Sequence, residues 1–145
     1  MPNITTEWQP FGALSVNSLY ELLQLRQSIF VVEQGCPYPD LDGLDREAWH
    51  LCARTEGGLA GYLRLIPRPL RIGRVAVALS LRRSGLGRRL MQEALSHCRE
   101  HYPGLTIALA AQAYLVPFYR SFGFEPTGEP FDDFGLAHVE MELRQ

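Results

Sequence analysis

Apolar positions along this 145-residue chain follow two periods, and the switches between them mark the elements. Leu19, Leu22, Leu23, Arg26 and Phe30 recur at helical spacing, which predicts a helix capped by Asn17 or Ser18 and running to about Val31. Gly35, Pro37, Pro39 and Gly43 then enforce an irregular loop. Trp49 to Arg54 and Ala60 to Ile66 read as strands joined by the Gly57-Gly58 turn signal. Pro67 and Pro69 punctuate the chain before a third strand, Arg71 to Leu79, with Ile72, Val75 and Val77 as strand formers. From Gly85 a second helix carries Leu86, Leu90, Ala94, Leu95, Cys98 and Tyr102 on one stripe, and Pro103-Gly104 ends it. Leu105 to Ala111 has the apolar character of a buried strand. Tyr114 to Ser121 follows as a short helix, Gly123 stops it, and extended pieces begin at Phe124 and run from Ala137 to Leu143. The order predicts an α/β fold, a mixed sheet with helices covering its faces. With no internal repeat and no low-complexity linker, residues 1–145 read as a single domain.

Charge changes this picture through its placement. The net charge is −2, so the molecule as a whole has no bias toward nucleic acid or anionic membranes. Every basic residue apart from histidine is arginine. The lack of lysine excludes a Walker-type phosphate lysine and a Schiff-base lysine. Arginines crowd at Arg82, Arg83, Arg88 and Arg89, whereas carboxylates crowd from Glu33 to Asp45 and from Glu125 to Asp133. No stretch approaches the roughly 18–20 apolar residues of a membrane span. Met1-Pro2-Asn3-Ile4-Thr5 lacks the basic and apolar regions of a secretory leader. Cys36, Cys52 and Cys98 are widely spaced and read as free thiols, so a cytoplasmic location is expected.

The candidate chemistry starts at Arg82-Arg83-Ser84-Gly85-Leu86-Gly87-Arg88, between a strand and an amphipathic helix. A helix N-terminus offers unpaired N–H groups and a partial positive charge to an anion. Gly85 and Gly87 let the backbone approach a ligand. Arginines oppose the helix dipole here, and a bound polyanion offsets that cost. A dinucleotide-fold reading fails because the third glycine of GxGxxG falls on Leu90, inside the apolar stripe. The plain alternative is an eased strand-to-helix turn with solvated arginines.

Arg82-x-x-Gly85-x-Gly87 after Arg74-Val75-Ala76-Val77, with Pro117-Phe118-Tyr119-Arg120-Ser121-Phe122-Gly123-Phe124 downstream, resembles the motif set of GCN5-related N-acetyltransferases, the GNAT superfamily. Leu22-Leu23-Gln24-Leu25-Arg26, Phe30-Val31-Val32-Glu33-Gln34, Cys36-Pro37-Tyr38, Asp42-Gly43, Gly73-Arg74-Val75 and Ala111-Gln112-Ala113 are similar to the ElaA subfamily. The resemblance implies a mostly antiparallel mixed sheet of six to seven strands, splayed near Val77 and Leu109, with about four helices. It implies acetyl-CoA as cosubstrate, its pantetheine arm bonded to the backbone of Val75, Ala76 and Val77. Its pyrophosphate is then held by Arg82, Arg83, Ser84, Gly85, Leu86, Gly87 and Arg88, and Gln112, Phe118 and Tyr119 complete the cofactor set. A homodimer is compatible with the family.

Acyl transfer to an amine needs a neutral amine, whose ammonium has a pKa of about 10, and a protonated leaving thiolate. Tyr119 matches the family's proton donor to sulfur, against the alternative of a packing tyrosine. Glu33 is a candidate base beside apolar walls, against the alternative of a carboxylate paired with a neighbouring arginine. Gln34 and His138 join Glu33 as candidate acceptor contacts. His50 is expected to pack, and His97 and His101 to suit the end of their helix as cations. Asp40-x-Asp42-Gly43-x-Asp45 has its glycine at the wrong place for an EF-hand, so turn chemistry is the better reading and no metal is expected. If Glu33 to Asp45 and Glu129 to Asp133 both rim the cleft, an acidic mouth favours a cationic amine such as a polyamine, amino sugar or peptide amine. Competing readings are a CoA-binding module without turnover and an enzyme like acyl-homoserine-lactone synthases. The arginine cluster lacks interleaved aromatics, which speaks against a nucleic-acid partner.

Overall fold

The computed structural model describes residues 3–145; Met1 and Pro2, part of the segment read as no secretory leader, lie outside the described residues. The strands are β1 (Thr5–Pro10), β2 (Trp49–Thr55), β3 (Gly58–Pro67), β4 (Leu70–Val77), β5 (Ile107–Gln112), β6 (Glu125–Pro126), β7 (Phe131–Asp133) and β8 (Leu136–Leu143). The α-helices are α1 (Val16–Gln27), α2 (Leu86–His101) and α3 (Val116–Arg120). The strands form one sheet in the order β1-β2-β3-β4-β5-β8-β6, with β7 also on β8. Every pairing is antiparallel except β4 with β5.

The sheet has eight strands instead of six or seven, because β6 and β7 are two and three residues long, too short to show a period. β1 is strand by its pairing with β2, although Thr-Thr-Glu-Trp-Gln-Pro carries little apolar alternation. Among the described residues, three α-helices stand where about four were expected. The first begins earlier than its predicted cap: the Ser15 hydroxyl accepts the Ser18 N–H at 3.0 Å, so Asn17 and Ser18 lie inside the first turn. Its predicted continuation to Val31 is a change of winding, with Ser28–Glu33 π-helical. Such wider turns redirect side chains and often mark functional sites.

The stripe on α2 is buried as its spacing requires. Leu86, Leu90, Met91, Ala94, Leu95 and Cys98 pack with Leu63, Leu65 and Ile72 of the sheet. Each fully buried leucine contributes roughly 1.5–3 kcal/mol. Gly61 on β3 permits the close approach, since a Cβ there would stand 3.0 Å from Leu86 Cδ2 and 3.1 Å from Leu90 Cδ1. The packing fixes the N-terminus of α2 beside the end of β4. On the opposite face, α1 sets Leu22 against Cys52 and Tyr62.

β4 and β5 pair only at Arg71 with Ala108, then separate toward Val77 and Gln112, which is the expected splay. A bulge contributes to it. The β3–β4 register shifts between Tyr62 and Arg64, and Arg74 adopts a left-handed φ of 53°. Beyond Ile72 the edge of β4 that faces β5 has no ladder partner, so its backbone groups are open to a ligand or water.

Candidate active site

The 3-10 turn Leu79–Leu81 follows β4, and Gly85 then caps α2 with φ 89°, a conformation that strains any residue with a Cβ. Among the described residues, no side chain caps this end, and no acidic residue occupies the first turn. Its N–H groups are therefore available to an anion. A Cβ on Gly87 would lie 3.9 Å from both Val77 Cγ2 and Phe118 Cζ, so β4, α2 and α3 converge at this point. Arg88 reaches toward α3, with its guanidinium 4.8 Å from the Phe122 ring centre, 5.6 Å from that of Phe118, and 3.1 Å from the Ser121 hydroxyl. Leu86 and Ala76 turn their side chains into the core, so only their backbone can meet a cofactor.

Arg82 donates both terminal nitrogens to the Glu33 carboxylate at 2.7 Å and its Nε to the Val77 carbonyl at 3.2 Å. The hydrogen bonds from Arg82 pull the Glu33 carboxyl below its ordinary range. That is the wrong direction for a base. Of the two readings left open for Glu33, the paired carboxylate is the one this geometry has.

The splay opens into a cavity of about 180 Å³, room for reacting groups and not for a whole cofactor. Val75, Gln112 and Tyr119 line it from β4, β5 and α3, Phe30 and Gln34 from the π-helical segment, and Asp133 and His138 from β7 and β8. The geometry thus brings Val75, Gln112, Tyr119, Gln34 and His138 together. Glu33, Ala76, Val77, Phe118 and the run Arg82 to Arg88 lie outside the cavity lining. Tyr119 is 7% exposed, with its ring edge-on to Phe118 at 5.1 Å. Its hydroxyl has no hydrogen-bond partner among the described residues. Burial, helped by Tyr114, pushes its phenol up to about 12, so it stays a proton donor at neutral pH.

Arg64, Arg71, Arg74, Tyr38 and Asp133 also line the cavity; none was picked out singly as a site residue, and only Tyr38 and Asp133 lay in segments, Glu33 to Asp45 and Glu129 to Asp133, expected to rim the cleft. Asp133 carried a signal. Asp133-Phe134-Gly135-Leu136 closes a hairpin whose central residues have φ of 53° and 87°, which sets the register of β7 on β8 and faces Asp133 with Leu136.

The loop before β2 corrects the expected acidic mouth. Arg26, buried completely on α1, bonds Asp40 through Nε at 2.9 Å and Asp45 through Nη1 at 2.7 Å. Arg64 on β3 bonds Asp42 at 2.9 Å and Asp45 at 3.1 Å. Arg74 contacts Asp40 at 2.8 Å and Asp42 at 3.2 Å, and donates to the Tyr38 hydroxyl at 2.9 Å. These aspartates face guanidinium groups and not the cleft. Asp42 does accept the Leu44 N–H at 3.0 Å, the predicted turn chemistry, but Asp40 and Asp45 serve the arginines. Asp133 is the cavity-lining carboxylate, and it has no basic partner among the described residues.

The histidines divide. His50 is buried, as expected, between the Asp45 carbonyl and the Tyr62 hydroxyl. His97 departs from expectation: it is 8% exposed, stacks on Trp8 at 4.2 Å, and burial lowers its pKa. A desolvated ring suits the neutral form, not a dipole-stabilised cation. His138 packs on Phe131 with ring centres 5.9 Å apart, and its Nδ1 is 3.0 Å from the Leu136 carbonyl. Among the described residues, no cluster of three or more His, Cys, Asp or Glu can hold a metal, and no helix is long and apolar enough to cross a membrane.

Comparison with known proteins matches this architecture. The family described as "Acetyltransferase (GNAT) domain" matches residues 39–145. The chain is 42% identical to protein ElaA of Escherichia coli, over 93% of this chain and 94% of that one. It is 41% identical to a UPF0039 protein of Synechocystis, over 97% and 96%. The crystal structure of E. coli ElaA superposes with a TM-score of 0.93 at 39% identity, covering 98% of this chain and 100% of that one. An acyl-CoA N-acyltransferase from Pseudomonas aeruginosa superposes with a TM-score of 0.92 at 36% identity, covering 97% and 99%. With a splayed sheet, an open helix N-terminus after β4 and a buried tyrosine on the wall of the cavity in the splay, the chain belongs to the GNAT acetyltransferase family, and its likeness to ElaA runs almost end to end.

Proposed function

We propose that the chain moves an acetyl group from acetyl-CoA directly to a primary amine. The observation that carries this reading is the uncapped N-terminus of α2 beside the unpaired edge of β4, with Tyr119 on the wall of the cavity that β4 also lines. N–H groups from Gly85 to Arg88, with Arg83 and Ser84, hold the pyrophosphate, and Arg82 adds its charge beside them while its terminal nitrogens stay on Glu33. Backbone groups of Val75 to Val77 take the pantetheine amides as a strand edge takes a peptide. Gln112 and Phe118 flank the arm. The amine attacks the thioester carbon, the C–N bond forms as the C–S bond breaks, and Tyr119 gives its proton to the departing sulfur.

The acceptor's charge is recognised more locally than an acidic mouth would do it. Asp133 is the unneutralised carboxylate on the cavity wall, and it favours an acceptor with one ammonium within reach. Gln34 supplies a neutral amide to the same cavity. The test is CoA release from acetyl-CoA across polyamines, amino sugars, peptide amines and neutral or acidic amines. Turnover is expected for amines that carry positive charge near the reacting nitrogen. Activity that falls as positive charge is added would remove the cationic acceptor. Acetyl-CoA binding with no release across the panel would make the chain a binding module.

A further inference from the structure

We infer that His138, through Nε2, is the base that takes the proton from the acceptor's ammonium. This rests on the acetyl-transfer reading above and assigns the role that Glu33, held by Arg82, does not have in this structure.

Three observations converge on it. His138 lines the cavity from β8, opposite Gln112 on β5 in register, and shares that cavity with Tyr119. Its ring is held rather than loose, since Phe131, its cross-strand partner on β7, stacks against it with planes 28° apart. Its Nδ1 is 3.0 Å from the Leu136 carbonyl. A carbonyl only accepts, so Nδ1 must carry the proton, and in the neutral ring Nε2 keeps its lone pair. Nε2 has no hydrogen-bond partner among the described residues. A positioned imidazole on a cavity wall, with its basic nitrogen unpartnered, is the arrangement a general base requires.

The charged and titratable groups around it fit the role. Asp133 on β7 stabilises both the incoming ammonium and the imidazolium that forms. Glu140, two residues on along β8, is engaged by Arg71. Arg64 and Arg74, which also line the cavity, are held by Asp42 and Asp45 and by Asp40, Asp42 and Tyr38 respectively, and Tyr119 is protonated. The protons balance. The ammonium gives one proton to His138 before attack. The second N–H proton lost on amide formation offsets the one that Tyr119 gives to sulfur. The cycle ends with one proton passing from His138 to solvent.

Two measurements test this. Long-range 1H–15N correlation of the wild-type histidine rings should find His138 protonated on Nδ1 in its neutral form; an Nε2–H tautomer overturns the proposal and needs no variant. Second, His138→Gln is compared with wild type on an alkylamine and on semicarbazide, whose nitrogen is already neutral at pH 7. The alkylamine rate should fall by roughly 10²-fold or more and the semicarbazide rate by less than about threefold. Equal losses on both amines mean a packing role, and no loss means no role; either overturns the proposal while leaving acetyl transfer intact. A wild type that binds acetyl-CoA but acetylates neither amine overturns the transfer reading and this proposal with it.

Discussion

Replacing Arg26 with alanine should lower the unfolding free energy by roughly 3–5 kcal/mol, the usual cost of removing one partner from a buried ion pair. Against the roughly 5–15 kcal/mol that holds a domain together, this is the largest single-residue effect expected in the chain. The guanidinium is fully buried and bonds Asp40 and Asp45 together with the Asp40 carbonyl. Alanine would leave two carboxylates in a low-dielectric site with only Arg64 and Arg74 to share. Arg26→Lys should recover little, because an ammonium cannot bond both aspartates in the fork geometry. Urea denaturation followed by circular dichroism measures the difference. A loss below about 1 kcal/mol would mean that the network does not hold the loop.

The same network predicts how acid acts. Burial alone would raise the Asp42 carboxyl, but hydrogen bonds from Arg64 and the Leu44 N–H outweigh it and bring the pKa down to about 2 from an ordinary 3.8. Asp45 is displaced in the same direction, with burial overcome by the Arg26 and Arg64 contacts. Groups depressed in the folded state stabilise it fully above their unfolded pKa, near 4. That contribution is lost as pH falls from about 4 toward 2, so acid denaturation should steepen there and soften in Arg64→Ala.

Tyr119→Phe should lower kcat by roughly 10²-fold or more while changing the KM for acetyl-CoA far less. The hydroxyl is the only group removed, and it bonds no described residue, so stability should change by less than about 1 kcal/mol. With burial holding the phenol protonated up to about 12, no alkaline limb below pH 10 in the rate profile belongs to Tyr119. Steady-state kinetics of both enzymes on one acceptor decide the point. An unchanged kcat would leave Tyr119 as a packing residue against Phe118 and Phe124.

Most of the scaffold was legible because local sequence determines it. The α2 stripe, the Gly85 turn and the strands from Trp49 to Val77 follow from period and turn chemistry alone. The run from Arg82 to Gly87 was legible as a strand-to-helix turn for the same reason, since glycine spacing acts within one turn. What escaped depends on distance. Arg26 stood in the apolar stripe of α1 as its one cation, a signal of burial with a partner, but nothing local identifies Asp40 and Asp45 as that partner. An acidic run therefore read as a solvent-facing mouth when it is the counter-ion of three arginines. Glu33 was expected just past the end of the first helix and stands at the end of the π-helical segment, yet its bond to Arg82 spans 49 positions and reverses the expected direction of its pKa. β6 and β7 are strands through β8 and have too few residues to declare themselves.

The central claim is that the acyl-CoA lies along the free edge of β4 with its pyrophosphate on the N-terminus of α2. Backbone amide chemical shifts followed during titration with acetyl-CoA test this most directly, and 145 residues suit the method. The largest changes should fall on Val75 to Val77 and on Ser84 to Arg88, with desulfo-CoA reproducing those at the loop. Saturable binding that leaves both stretches unmoved, and shifts amides elsewhere, would contradict the account.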